Sequence, residues 1–181
     1  QEGMFHHFSA VASAVGIPVI LYSVPGRTVV DLTIDTIARL HEAHSNIVGV
    51  KDATADLGRA SLQRDRLGKD FILLSGEDIT ALAFNAHGGH GCISVTANVA
   101  PRLCSQMQEL SLSGDFRGAL AIQDKLVHLH KNLFMEPNPT AVKYAASRLN
   151  RCANELRLPL VPISPATQEA VDFAMRHAGL I

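Results

Sequence analysis

The sequence predicts an α/β fold, the second half of a (β/α)8 barrel built from four βα units, followed by a C-terminal helical domain. Three observations predict it. Strand, loop and helix recur four times before residue 114, and lone strands alternating with amphipathic helices imply parallel strands joined by crossovers. An open nucleotide-binding sheet would carry a Gly-rich phosphate loop after its first strand, and neither GxGxxG nor GxxxxGKS/T occurs anywhere. After Gly114 the alternation stops and the pattern is helical. The expected division is therefore 1–113 for the half-barrel and 114–181 for the helical domain.

The elements follow in order. Phe5, Phe8, Val11, Ala12 and Val15 recur at helical spacing from about Glu2 to Val15, with Gly16 as C-cap. The chain opens on Gln1 inside this pattern, so Gln1 is expected to be a cut end. Val19–Ser23 is the first strand, and Pro25-Gly26 signals a type II turn over Val24–Thr28. Thr33 is the expected N-cap of a helix with Asp35 in its first turn and Ile34, Ile37, Ala38 and Leu40 inward. Ile47–Lys51 is a near-continuous apolar run, the pattern of a strand buried on both faces. Asp56 caps a helix that runs to Leu67 and closes at Gly68. Phe71–Ser75 is the third strand, followed by a short helix from about Ile79 to Ala86. Gly91–Val95 is expected as the fourth strand, and a helix from about Ala100 to Ser113 completes that unit.

Beyond it, Ala119, Ile122, Leu126, Leu129 and Leu133 form one stripe of a helix over 115–133. Asn138 as N-cap and Pro139 at the first position predict a helix to about Leu149. Ser164 caps a last helix that buries Ala170, Phe173 and Ala174. These helices suit either a cover for the barrel or a subunit contact.

Composition narrows the function classes. Of the 181 residues, 47% are hydrophobic and 18% charged, which suits a large buried interior. A net charge of −1 provides no polybasic field, so nucleic acid and anionic membranes are not expected partners. No apolar run is long enough for a membrane span. Cys92, Cys104 and Cys152 form no CxxC pair, and the reading is a reducing cytoplasm.

The chemistry is expected where strands end and loops begin, at Tyr22, Ser23, Lys51, Ser75, Gly76, Ser94 and Thr96. Lys51 ends an apolar strand, and burial there favours a free amine able to attack a carbonyl. With Tyr22 to shuttle protons and Arg27 to hold a carboxylate, the set suits Schiff-base chemistry on a keto acid. Structural alternatives stand beside it: Lys51 snorkelling to water, Tyr22 with a solvated hydroxyl, and Arg27 as a loop charge.

Four segments occur in a telling order: Leu21-Tyr22-Ser23-Val24-Pro25-Gly26-Arg27-Thr28, Gly49-Val50-Lys51-Asp52-Ala53-Thr54, Leu74-Ser75-Gly76-Glu77-Asp78, and Gly88-Gly89-His90-Gly91-Cys92-Ile93-Ser94-Val95-Thr96-Ala97-Asn98. With Glu136-Pro137-Asn138-Pro139 and His177-Ala178-Gly179-Leu180, they resemble the dihydrodipicolinate synthase family of pyruvate-dependent class I aldolases. The resemblance covers essentially the whole chain. The Ile93–Asn98 stretch is more similar to the synthases than to their sialic-acid lyase relatives.

This resemblance implies a TIM barrel with a C-terminal helical domain, usually a cytoplasmic homotetramer. It implies condensation of pyruvate with aspartate 4-semialdehyde to 4-hydroxy-tetrahydrodipicolinate, in lysine and diaminopimelate biosynthesis, with no metal or organic cofactor. Carried over, Lys51 is the Schiff-base lysine and Tyr22 the proton relay. Arg27 orders the site mouth and holds the semialdehyde carboxylate. Ile93, through its backbone, lines the pyruvate pocket, with Gly76 nearby. Ser23 stands where the family usually has Asn, and Asp52 where Glu is common. The family's earlier strands supply further relay and binding residues, so the 181 residues alone are expected to show little or no activity. A non-catalytic half-barrel or interaction module, and a sibling aldolase on another keto-acid substrate, are the alternatives.

His87-Gly-Gly-His90 has HxxH spacing but no neighbouring carboxylate or cysteine pair, so a structural turn is the expectation. His128 and His130 cannot share a helix face. Cys92 is expected as a small core residue. Asp31, Asp35 and Asp78 could pair as acid and base in principle, but Asp35 is better explained by a helix dipole and Asp78 by capping.

Overall fold

Val19–Ser23 forms strand β1, Ile47–Asp52 β2 and Ile72–Ser75 β3, because β-branched and large aliphatic residues fit a pleated, half-buried surface. The structure is a computed structural model that describes residues 1–181. The three strands are parallel and ordered β1-β2-β3, following the sequence without the reversal of an open doubly wound sheet. The chain packs as two compact units, residues 1–93 and 94–181.

In the first unit, helix α1 (Glu2–Ser13) ends at Ala14, short of the expected Gly16. After β1, the expected type II turn is instead one helical turn, α2 (Pro25–Thr28). Type II geometry needs a positive φ at Gly26, and Gly26 does not have one. The proline ring presets helical φ at the first position, and Val29 N–H closes the turn on Pro25 O at 2.9 Å. Val29 itself is left-handed at φ 60, an uncommon conformation for a β-branched residue.

Helix α3 (Ile34–Ala43) is capped by Thr33, whose hydroxyl accepts from Thr36 N at 3.3 Å, and Ile37, Ala38 and Leu40 are buried. Helix α4 (Leu57–Leu67) is capped by Asp56 and closed by Gly68 at φ 87. A 3-10 turn (Asp78–Thr80) leads into α5 (Ala81–Ala86).

Strand register sorts the side chains. The row Leu21, Val50, Leu73 lies on one face and joins Ile37, Leu40 and Phe71 in the core. Each such side chain, once buried, contributes roughly 1.5–3 kcal/mol. The row Tyr22, Lys51, Leu74 lies on the other face, with Tyr22 exposed and the other two half-buried. No residue of β2 is exposed: Ile47, Gly49, Val50 and Asp52 are buried and Val48 and Lys51 half-buried, so the expected burial on both faces loosens only at the strand's end, at Lys51. Gly49 is required here: a Cβ would lie 2.6 Å from Ile72 O and 2.7 Å from Ile72 Cβ. Gly49→Ala is expected to cost about 1–3 kcal/mol, read as a lower urea midpoint at unchanged slope.

The fourth strand is reduced to one parallel bridge, Ser75 to Cys92. Gly91 sits at φ 138, and the segment soon coils into a 3-10 turn at Thr96–Asn98, so no ladder extends beyond the bridge.

In the second unit, α6 (Pro101–Leu112), α7 (Phe116–Asn132), α8 (Thr140–Arg148) and α9 (Pro165–His177) pack around Leu126, Leu129, Ala141, Val171 and Met175. Asp115 caps α7 by accepting from Gly118 N at 2.9 Å. Asn138 is not a cap: α8 starts at Thr140, one residue past a cis Asn138–Pro139 peptide. Ser164 caps α9, and Ala174 is buried there as expected. Ala170 is only half-buried and Phe173 is exposed, stacked on His177, while Val171 and Met175 turn inward. No helix is long and apolar enough to cross a membrane.

Candidate active site

The C-terminal ends of the strands are tied by a staircase of backbone hydrogen bonds. Ser23 O accepts from Ala53 N at 2.9 Å, Asp52 O from Gly76 N at 2.7 Å, and Ser75 O from Ile93 N at 2.9 Å. Each strand's last carbonyl thus holds the start of the next loop. Lys51 and Tyr22 are register partners on the open face, and Lys51 Nζ sits 4.2 Å from the Tyr22 ring centroid. This is cation–π geometry, which fixes the amine beside the phenol. Gly76 crowds the lysine stem from the other side: a Cβ there would lie 3.1 Å from Lys51 Cε and 2.7 Å from Ala53 Cβ.

Lys51, Tyr22 and Gly76 therefore meet in one place. Ile93 joins the rim through its bond to the end of β3. Arg27 projects from α2 into solvent and hydrogen-bonds to none of them.

Behind Lys51, on the packed face, lies a polar cluster that sequence reading passed over. Asp52 is 3% exposed. Its Oδ1 accepts from Thr54 N at 2.9 Å and Thr54 Oγ1 at 2.6 Å, and its Oδ2 from Arg59 Nε and Gln63 Nε2, both at 2.9 Å. Arg59 also donates to Asp31 Oδ2 at 2.8 Å and Leu32 O at 3.0 Å, and Ser23 Oγ donates to Asp31 Oδ1 at 2.9 Å. Burial pushes the Asp52 carboxyl up, but the Thr54 and Arg59 hydrogen bonds and the Arg59 charge outweigh it, and the net displacement is downward. Asp52 thereby stays ionised and ties the end of β2 to β1 and α4. The available signal was Ser23 and Asp52 at strand ends with an arginine one helical turn into α4. Asp31 lies 28 residues from Arg59, a pairing no local spacing reveals.

Glu77 follows Gly76 at the same rim. Burial, then the neighbouring Asp78 charge, push its carboxyl up. The histidines do other work: His90 Nδ1 accepts from Leu73 N at 3.1 Å, and His87 Nδ1 pairs with Ser61 Oγ at 3.1 Å. No group of three or more His, Cys, Asp or Glu side chains is placed to hold a metal.

The chain matches the model of the Dihydrodipicolinate synthetase family over residues 1–178. It is 64% identical over 181 residues to a 4-hydroxy-tetrahydrodipicolinate synthase of Parvibaculum lavamentivorans, covering 100% of this chain and 62% of that one. A relative of the same name from Afipia carboxidovorans is 60% identical, with 100% and 61% covered. Among solved structures, the dihydrodipicolinate synthase of Aquifex aeolicus superposes with a TM-score of 0.96 at 40% identity, covering 99% of this chain and 61% of that one. That of Acinetobacter baumannii, chloride-inhibited and complexed with pyruvate, gives 0.95 at 42%, covering 99% and 62%. The chain thus spans about three-fifths of the length of these relatives. With a family match across nearly every residue, close relatives of one name and the same backbone path, the chain belongs to the dihydrodipicolinate synthetase family.

Proposed function

We propose that this chain carries the Schiff-base centre of an enzyme that condenses pyruvate with aspartate 4-semialdehyde to 4-hydroxy-tetrahydrodipicolinate, in lysine and diaminopimelate biosynthesis. The observation that carries the reading is Lys51 Nζ held 4.2 Å from the Tyr22 ring centroid, at the ends of adjacent parallel strands. The ε-amine attacks the keto carbon of pyruvate, and the carbinolamine loses water to leave the imine. Loss of a methyl proton gives the enamine, whose carbon attacks the aldehyde. Attack of the semialdehyde's own amine on the imine carbon closes the ring and releases Lys51. Tyr22 carries protons through these steps.

Arg27 binds the semialdehyde carboxylate, its exposed guanidinium being open to a bidentate partner. Gly76 keeps the space beside Lys51 Cε clear, and the Ile93 backbone lines the pyruvate pocket. In this reading, residues 1–113 are four βα units of a TIM barrel and 114–181 its helical domain, in a cytoplasmic homotetramer. Turnover by these 181 residues alone is slight.

Tyr22→Phe tests the relay, because it keeps the ring against Lys51 and removes the hydroxyl. Exchange of pyruvate methyl protons with deuterated water, followed by proton NMR, is expected to slow by about 10²–10⁴-fold. An unchanged rate would remove Tyr22 from the mechanism.

A further inference from the structure

Tyr22 is 44% exposed at the end of β1, a strand whose one neighbour in the sheet is β2. Water on its open side cannot set the ring against Lys51, so its placement comes from the backbone beneath it. Strand ends fray unless something beyond the ladder ties them. Here the ladder between the two strands closes with Ala53 N donating to Ser23 O. Past that bond, side chains on the packed face take over. Ser23 follows Tyr22, Asp52 follows Lys51, and the two are register partners, 2% and 3% exposed.

Arg59 joins them. Its Nε donates to Asp52 Oδ2 at 2.9 Å and its Nη1 to Asp31 Oδ2 at 2.8 Å, while Asp31 Oδ1 accepts from Ser23 Oγ at 2.9 Å. Its Nη2 donates to Leu32 O at 3.0 Å, and Leu32 N donates to Ser23 Oγ at 3.3 Å. Two routes thus run from one guanidinium to the end of β1, and a third runs to the end of β2. The Arg59 side chain is 12% exposed, so water competes little for these bonds. Three nitrogens of one rigid plane meet three acceptors, which an ammonium on a flexible stem cannot do from a single position.

We propose that Arg59 is a positioning residue that holds the end of β1 against the end of β2 and thereby sets Tyr22 on Lys51. Its consequence for the reaction rests on the Schiff-base reading. Arg59 hydrogen-bonds to neither Tyr22 nor Lys51 and acts through Ser23 and Asp52. A displacement of about 1 Å between reacting groups costs up to about 10²-fold in rate.

The test is a double-mutant cycle on the full chain, with exchange of pyruvate methyl protons for deuterium as the rate and the Lys51 ε-methylene NMR signal as the spectroscopic readout. The Tyr22 ring beside Lys51 shifts that signal upfield of the other lysines. Arg59→Lys keeps the charge and removes the fork. It is expected to slow exchange about 10–10²-fold and to return the signal toward those of the other lysines. Added to Tyr22→Phe, it is expected to slow exchange by less than about twofold, since the hydroxyl it aligns is already gone. Where Tyr22→Phe slows exchange, an Arg59→Lys rate within about twofold of the unaltered chain overturns the proposal, and so does equal slowing in both backgrounds, the mark of general loosening. An unchanged ε-methylene signal overturns it whatever the rates. Where Tyr22→Phe leaves exchange unchanged, the relay reading has failed, and the ε-methylene signal alone decides the alignment. Should Arg59→Lys fail to fold, Ser23→Ala takes its place in the same cycle: it opens the link between Asp31 and β1 while Arg59 keeps its partners, and the same outcomes decide.

Discussion

Lys51→Arg is expected to abolish covalent capture of pyruvate while leaving the chain folded. The substitution preserves a positive charge over the Tyr22 ring, the contact that places the side chain in this structure. It does not preserve a nucleophile. A guanidinium stays protonated at any working pH and cannot supply the lone pair that attacks the keto carbon. The loss should be on the order of 10⁴-fold or more in trapping rate, the scale seen when a covalent nucleophile is removed. Urea unfolding of the variant should stay within about 0.5–1 kcal/mol of the unaltered chain, because Lys51 makes no buried ion pair. Capture persisting at the original rate would mean that another amine does the chemistry.

The second large effect is on stability. Asp52→Ala is expected to cost about 2–4 kcal/mol, measured as a fall in the urea midpoint, because it leaves Arg59 Nε and the buried Gln63 Nε2 without their acceptor while Arg59 keeps its pair with Asp31. The same carboxylate makes stability depend on pH. Its folded pKa lies below the unfolded one, so between the two values the unfolded chain binds more protons. The contribution is fully present above an unfolded pKa of about 3.9 and is lost as pH falls through the folded value. The unaltered chain should therefore lose stability more steeply below about pH 4 than Asp52→Ala does. Identical acid limbs would show that the Asp52 cluster carries no such linkage.

Local chemistry made much of the fold legible. Thr33, Asp56 and Ser164 were readable as caps because a short polar side chain before an apolar-periodic run has one common use. The first three strands were readable from aliphatic runs bounded by Pro, Gly or Asp. The fourth was misread because Cys92, Ile93 and Val95 suit a strand, while the partner ladder that would make it one depends on long-range pairing. Phe173 was placed inside on hydrophobicity, yet the buried stripe of α9 runs through Val171 and Met175 instead. At the candidate site, Lys51 and Tyr22 were readable together because parallel strands align their C-terminal ends. The Asp52–Arg59–Asp31 cluster was not, because it joins three segments that only the fold brings into contact.

The central claim is that Lys51 is the amine that meets pyruvate. The direct measurement is incubation with pyruvate, reduction with borohydride, proteolysis and mass spectrometry of the peptides. The account predicts a single dominant adduct, pyruvate less water plus two hydrogens, on the peptide that contains Lys51. A folded sample with no adduct, or with its dominant adduct on Lys69, Lys125, Lys131 or Lys143, would contradict it.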